Sequence, residues 1–281
     1  CRRRSIPLAV LPGDDQPDAE LQGLSTLPAK ACHRLWHHCT HGGIANARNF
    51  LAYAATLIGR DTAWDEPAPL LRAGLYGTER DGLDGLRTTW REGAPVAALV
   101  FYRALVQAAN TAVIDTLIEA LREAGLNPLP VYVTSLKDPV AAATLAELLD
   151  AAPPAVILNG TGFSVSAPGR RAETPFDGAD CPVLQIVFAG GTEEAWREGT
   201  RGLSARDIAM NVALPEVDGR ILARAVSFKS TRGRDPLTET EIVFYRPVPD
   251  RIAFTADLAA AWAKLRGTPA EERRVAMVVA N

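Results

Sequence analysis

Between Val96 and Phe188, short apolar runs alternate with longer amphipathic ones, and this alternation constrains the fold more than any other feature of the chain. Val96 to Tyr102 reads as one continuous apolar strand. Thr111 to Ala124 carries apolar residues at helical spacing and stops at Gly125. Pro130 to Val133 is a second strand. Asp138 is placed to cap a helix with Pro139 at its first position, running to Leu149. Ala155 to Leu158 and Val183 to Phe188 are a third and a fourth strand. Strands with no wet face, separated by helices, form a parallel sheet covered on both sides, with right-handed crossovers. The expected fold class is α/β, with Rossmann- or flavodoxin-like parallel-sheet units and helices on both faces. Ligands of such sheets sit beyond the carboxyl ends of the strands.

The flanking regions divide the chain into four expected parts. Residues 1–60 read as an N-terminal α/β piece, with a strand at Ile6 to Leu11 and a helix at Ile44 to Ile58. Residues 61–95 hold Pro67, Pro69 and several glycines and read as a loop-rich linker. Residues 96–270 form the main α/β domain. Its second half has helices near Glu193 to Glu198, Ser204 to Val212 and Phe254 to Leu265, and a strand at Ile221 to Phe228. Residues 271–281 read as the start of a further α/β unit, because Val275 to Ala280 has the character of a buried strand. A chain that begins at Cys1 and stops at Asn281, just after that run, reads as a piece of a larger multidomain protein.

Composition removes several function classes. Charged residues make up 22% and the net charge is −3, so no strong field for nucleic acid or anionic membrane is present. Arg2 to Arg4 is the one basic run, and no apolar stretch has the length of a membrane span. Cys1, Cys32, Cys39 and Cys181 are too irregular for a disulfide scaffold, which suits a reducing, cytoplasmic setting. Neither a phosphate-loop motif nor a dinucleotide glycine motif occurs, so ATP hydrolysis and nicotinamide chemistry are not expected of this chain.

Four constellations could carry chemistry. Pro215 ends an apolar helix-like run, and Glu216 and Asp218 follow before Gly219. Two acids two residues apart can hold a cation or accept a proton; the alternative is a solvated turn. All four histidines lie in Cys32-His-Arg-Leu-Trp-His-His-Cys-Thr-His41. On a helix His33, His37 and His41 share one face, with His38 beside them, and imidazoles so spaced can chelate zinc, nickel or cobalt. A polar, histidine-rich helix face is the alternative. Asn159-Gly-Thr-Gly-Phe-Ser164 follows the third strand and could present backbone amides to a carboxylate, or be an ordinary tight turn. Arg103, Ser135, Lys137 and Gln185 surround the same end of the sheet. Arg103 and Lys137 could hold a large anionic ligand, or be solvated surface charges.

Several segments in order carry a resemblance: Val100-Phe-Tyr-Arg-Ala104, Leu129-Pro-Val-Tyr-Val-Thr-Ser-Leu-Lys-Asp-Pro139, Val156-Ile-Leu-Asn-Gly-Thr-Gly-Phe-Ser164, Pro182-Val-Leu-Gln185, and Ser204 to Arg220 continuing through Phe228-Lys229. Gly42-Gly-Ile-Ala-Asn46 is a weaker echo. Together they resemble the large subunit of the cobalt and magnesium chelatases, and Ser135 to Pro139 is similar to the cobalt branch, the cobaltochelatase of vitamin B12 biosynthesis. The resemblance implies a fragment of a subunit that binds a tetrapyrrole, hydrogenobyrinic acid a,c-diamide in the cobalt case. It implies Co2+ as the substrate metal. It also implies a companion chelatase subunit and an AAA+ ATPase subunit that hydrolyses ATP. It places Glu216 and Asp218 as base or metal-relay candidates, and Arg103, Asn159 and Thr161 near the carboxylates of the macrocycle. A magnesium-type subunit, a non-catalytic anion-binding module and a scaffold that docks the ATPase are the competing readings.

Overall fold

A computed structural model of the chain describes residues 6–78, 82–167 and 169–279. Cys1, the basic run Arg2 to Arg4, Ala280 and Asn281 lie outside the described residues. The chain forms two compact units. One holds the residues up to Leu71 together with Ala104–Ala109; the other holds Arg72–Arg103 and everything from Asn110 onward.

The smaller unit is helical: α1 (Ala19–Gly23), α2 (Ala29–His41) and α3 (Gly43–Thr56). Asp18 caps α1 by accepting a hydrogen bond from the Leu21 amide. Gly42 joins α2 to α3 at φ +66°, and a Cβ there would lie 2.7 Å from the Gln107 carbonyl oxygen, so only glycine fits. Ala31, Leu35 and Tyr53 form the core, packed by Phe50, Leu57 and Trp64. The expected strand at Ile6 to Leu11 is corrected. Its backbone is satisfied locally, Leu8 N–H donating to Thr26 Oγ1 (2.8 Å) and Val10 N–H to Ser25 Oγ (2.9 Å), and no neighbouring strand pairs with it among the described residues.

The larger unit is built on a seven-stranded sheet. Its strands are β1 (Ala73–Leu75), β2 (Val96–Tyr102), β3 (Asn127–Val133), β4 (Val156–Asn159), β5 (Val183–Ala189), β6 (Ile221–Arg234) and β7 (Glu241–Pro247), in spatial order β1-β3-β2-β4-β5-β6-β7. The five central strands are parallel, as the alternation requires, and β1 and β7 close the edges antiparallel. Within 61–95 the chain is therefore not loop throughout: β1 and the helix α4 (Gly82–Arg87) lie there. Helix α5 (Arg103–Gln107) follows β2 directly. Helices α6 (Ala112–Glu123) and α7 (Pro139–Ala151) make the crossovers on either side of β3.

Side-chain alternation assigns the two faces. Ala98 and Val100 of β2 join Leu129, Val131 and Ile157 in a cluster with Ala141, Leu145 and Leu149 of α7. Ala97, Leu99 and Phe101 point the other way and are fully buried, as are Val113, Ile114, Leu117 and Leu121 of α6. Each of the fully buried Val, Leu, Ile and Phe side chains contributes about 1.5–3 kcal/mol. Helix α8 (Glu193–Glu198) follows β5, and α6 packs with the last helix, α11 (Pro249–Gly267). Asp138 caps α7 as expected, accepting from the Val140 and Ala141 amides, and Arg72 Nη1 lies 2.6 Å from its carboxylate.

The terminal run departs from expectation. Val275, Met277, Val278 and Val279 are 79–95% exposed and form no strand in their described part. An apolar run becomes a strand only beside a hydrogen-bonding partner, and none of the described residues supplies one.

Candidate functional site

The chain leaves β2 for β3 on one side and returns to β4 on the other. The carboxyl ends of β2 and β4 therefore flank the topological switch point, where open α/β sheets bind ligands. Tyr102, Ser135, Leu136, Lys137, Arg220 and the segment Gly162 to Val165 line a depression there of about 90 Å³. Drug-sized ligands occupy roughly 300–1,000 Å³. A depression this small admits a carboxylate or carboxamide arm and leaves the body of a large ligand outside.

Beneath the depression lies a closed polar network. Asn159 and Thr161 are 0% exposed and Gln185 is 1% exposed. Asn159 Nδ2 donates to Gln185 Oε1 (2.9 Å) and to the Thr161 carbonyl (3.1 Å). Thr161 Oγ1 donates to Asn159 Oδ1 (2.9 Å), and Gln185 Nε2 donates to the Thr161 carbonyl (2.9 Å). Placing Asn159 and Thr161 in contact with a ligand is thereby corrected: their polar atoms are spent inside the protein, shaping the loop from below. Gly160 and Gly162 permit this path, because a Cβ would lie 2.5 Å from the Phe188 ring or 2.8 Å from Asn211 Oδ1. The loop then turns outward at Phe163, which is 47% exposed and adopts φ +62°, a left-handed backbone that disfavours bulky residues.

What holds Phe163 in that conformation is the segment that begins at Ser204. Ser204 caps α9 (Ala205–Ile208), and the buried Asp207 accepts from the Gly190 amide and from Ser204 Oγ. Ala209–Ala213 then form a π turn, with the Leu214 amide bonding back to the Ala209 carbonyl, and α10 (Leu214–Val217) follows. Pro215 therefore does not end the helix; it sits inside the continuing helical segment. In the π register the next amide to bond back would be that of residue 215, to the Met210 carbonyl. Proline has no N–H, so this carbonyl stays open and accepts from Phe163 N–H at 2.7 Å.

The two carboxylates after Pro215 have separate environments. Asp218 is not a solvated acid. Its side chain and that of Arg220 are each 1% exposed and are joined at 2.7 Å. The other contacts of Asp218 are the amides of Val165 (2.8 Å) and Ser166 (2.9 Å). Burial opposes ionisation, yet the Ser166 and Val165 amides and Arg220 outweigh it and hold the carboxyl below its usual range. A carboxylate so committed is a poor proton acceptor, which corrects the base or relay role expected of Asp218: it clamps the 164–166 loop to β6. Glu216 is exposed, and among the described residues it makes no ion pair.

Arg220 is the buried cation of the site. Its Nη1 lies 3.4 Å from both the Thr161 carbonyl and Gln185 Oε1, and its Nε has no partner among the described residues. Burial lowers its pKa, with Asp218 opposing. Tyr102 Oη donates to the Gly162 carbonyl, and burial pushes its phenol up, so the group is neutral. Lys137 is exposed at the rim, and Arg103 is half-buried at the end of β2.

The histidine cluster lies in the smaller unit, on α2. His37 Nε2 is 3.0 Å from His33 Nε2, while its Nδ1 faces His41 Nε2 at 3.4 Å. His33 and His41 thus approach different nitrogens of one ring. The three imidazoles do not converge on one point, and among the described residues no group of three His, Cys, Asp or Glu side chains could hold a metal ion. This corrects the three-histidine metal site. Burial and then the charge of His33 keep His37 below the ordinary imidazole range. His38 is interior, its Nδ1 at 3.3 Å from Asn46 Oδ1.

Arg220, Tyr102, Phe163 and Asp207 were not singled out from sequence. Arg220 carried the one usable signal, a cation directly before a strand in a stretch otherwise read for its acids.

A mostly parallel sheet with a small polar depression at its switch point defines an α/β protein of the architecture that binds ligands at its strand ends. Sequence comparison narrows that class. The CobN/Magnesium Chelatase family profile matches residues 36–281, and the chain belongs to this family. It is 46% identical over 98% of its length to the "Aerobic cobaltochelatase subunit CobN" of Sinorhizobium sp, and 42% identical over 99% to the same-named subunit of Pseudomonas aeruginosa. It spans 22% of the length of each. The fold of the "Catalytic Subunit of Cobaltochelatase from Mycobacterium tuberculosis" superposes with a TM-score of 0.71 at 27% identity, covering 91% of this chain and 21% of that one. No helix among the described residues is long and apolar enough to cross a membrane.

Proposed function

We propose that this chain supplies part of the tetrapyrrole-binding surface of a cobaltochelatase large subunit, which inserts Co2+ into hydrogenobyrinic acid a,c-diamide. Co2+ is a substrate here. ATP is hydrolysed by an AAA+ partner acting with a companion chelatase subunit in the cytoplasm. The observation that carries the reading is the depression at the switch point. A buried guanidinium forms its floor, Lys137 its rim, and an exposed aromatic stands beside it. A corrin precursor is a large ring edged by carboxylate and carboxamide arms. One arm fits the depression, with Lys137 as counter-charge, while Phe163 faces the ring; Arg103 meets a second arm. Asn159 and Thr161 act from beneath by fixing the loop. Of the two acids, Glu216 is the one exposed to take an inner N–H proton.

The test is a titration of tryptophan fluorescence with hydrogenobyrinic acid a,c-diamide. The chain carries five Trp residues. Saturable quenching that weakens by about tenfold or more in Lys137→Ala or Phe163→Ala supports the reading, given roughly 1.5–3 kcal/mol for a charge-assisted contact. Absence of saturable quenching in the unsubstituted chain refutes it.

A further inference from the structure

The contact between His33 and His37 is tighter than that between His37 and His41. The His33 and His37 ring centroids are 4.1 Å apart with planes tilted at 47°, and their Nε2 atoms are 3.0 Å apart. The rings lie one helical turn apart, with their Nε2 atoms closer together than their centroids, and one ring donates a hydrogen bond to the other through these nitrogens. A divalent ion bound by both Nε2 atoms would replace that hydrogen bond. With metal–nitrogen bonds of about 2.0–2.1 Å, a 3.0 Å separation corresponds to a bite angle near 94°. That is the angle between neighbouring ligands of an octahedral or square-planar ion, and it is too narrow for a tetrahedral one.

We propose that His33 and His37 form a two-imidazole chelate for a late first-row divalent ion, Co2+, Ni2+ or Cu2+, whose remaining positions are filled by water. Imidazole donors favour these ions over Mg2+, which prefers oxygen ligands and near-ideal octahedral oxygen cages. His33 is exposed and His37 half-buried, so the open side of the pair faces solvent. The helix itself fixes the bite, because residues four apart are neighbours on one face. Trp36 is anchored by its Nε1–H to the Asp14 carbonyl and packs edge-on against both rings, with centroids 5.8 Å from His33 and 5.1 Å from His37. The indole thus holds the rings and also reports on them. His41 meets the other ring nitrogen of His37, Nδ1, and lies outside the chelate. The site stands on the smaller unit alone and is independent of tetrapyrrole binding.

The experiment is a fluorescence titration of the untagged chain with Ni2+, Co2+ and Mg2+ in separate runs, on the unsubstituted protein and on His33→Ala, His37→Ala and His41→Ala. Circular dichroism confirms that each variant folds. The expected result is saturable quenching by Ni2+ and Co2+ but not by Mg2+, weakened by about tenfold or more in His33→Ala and His37→Ala and kept in His41→Ala. His33→Ala is decisive should His37→Ala unfold, because its side chain is already in solvent. No saturable quenching by about 1 mM Ni2+ overturns the proposal. So does quenching that survives in folded His33→Ala.

Discussion

Replacing Asp218 by Ala tests whether the turn after Pro215 is a solvated loop or a buried clamp. The carboxylate accepts the Val165 and Ser166 amides and the Arg220 guanidinium, and both charged side chains are 1% exposed. Removing it leaves two amides without acceptors, at about 1–3 kcal/mol each where water cannot replace them. It also leaves a buried cation uncompensated, a loss of about 3–5 kcal/mol. These terms overlap, since water can enter the space vacated. The expected destabilisation is therefore about 3–5 kcal/mol rather than their sum. Urea unfolding followed by circular dichroism measures it as a lower midpoint with an unchanged slope. Arg220→Met alone leaves the carboxylate buried and should cost a similar amount, whereas the double variant should recover about 1 kcal/mol or more relative to additivity. A loss below about 1 kcal/mol for Asp218→Ala is what a surface substitution gives and would refute the clamp.

The clamp also predicts a pH dependence of known sign. The folded pKa of Asp218 lies below its ordinary value of 3.8. Its contribution is complete above that value and is lost as pH falls through the lowered folded one. The stability difference between the unsubstituted chain and Asp218→Ala should be constant at neutral pH and shrink only in acid below about pH 4.

Pro215→Ala restores an amide that competes for the Met210 carbonyl. Hydrogen exchange at the Phe163 amide should then accelerate, and an unchanged rate would sink the role assigned to Pro215. Gly162→Ala places a Cβ 2.8 Å from Asn211 Oδ1 and 3.1 Å from the Met210 carbonyl, so the loop must move. Urea unfolding should register a loss of about 1–3 kcal/mol, as for overpacking elsewhere.

The parallel core was legible because its signals are local. β2 is seven apolar residues in a row, and α7 announces itself with Asp138-Pro139. The strand signal of β3 starts at Pro130, although the strand begins at Asn127. Pro128 and Pro130 look like strand breakers, but the Pro130 carbonyl accepts from the Tyr76 amide on the β1 side, so the missing N–H groups face the short edge strand and cost no bond to β2. β1 and β7 were missed because edge strands owe their existence to partners distant in sequence. The same limit governed the site. Its location at the strand ends follows from topology. Which polar residues point outward depends on loop paths that no local pattern encodes. Asn159 and Thr161 therefore proved interior and Phe163 exposed.

This division explains how the site can be both rigid and accessible. The buried groups satisfy one another: Asn159, Thr161 and Gln185 in one network, Asp218, Arg220 and the Val165 and Ser166 amides in another, with Arg220 Nη1 at 3.4 Å from the Thr161 carbonyl linking the two. The first network has no outward polar atom to offer, and the second meets the depression only through the Arg220 guanidinium at its floor, so the rest of the contact surface is the rim. Both end on the same loop, 159–166, and the π turn grips it at Phe163 from the other side. A left-handed Phe163 costs roughly 1–3 kcal/mol and persists only where its surroundings over-determine it. Here three elements do so at once: the β4 network, the β6 clamp and the Met210 carbonyl that Pro215 leaves open. The ring held there is therefore an aromatic surface fixed before any ligand arrives. In the proposed complex, binding need not include the ordering of this loop, which preserves affinity for a large flat partner that touches the rim and leaves the interior undisturbed.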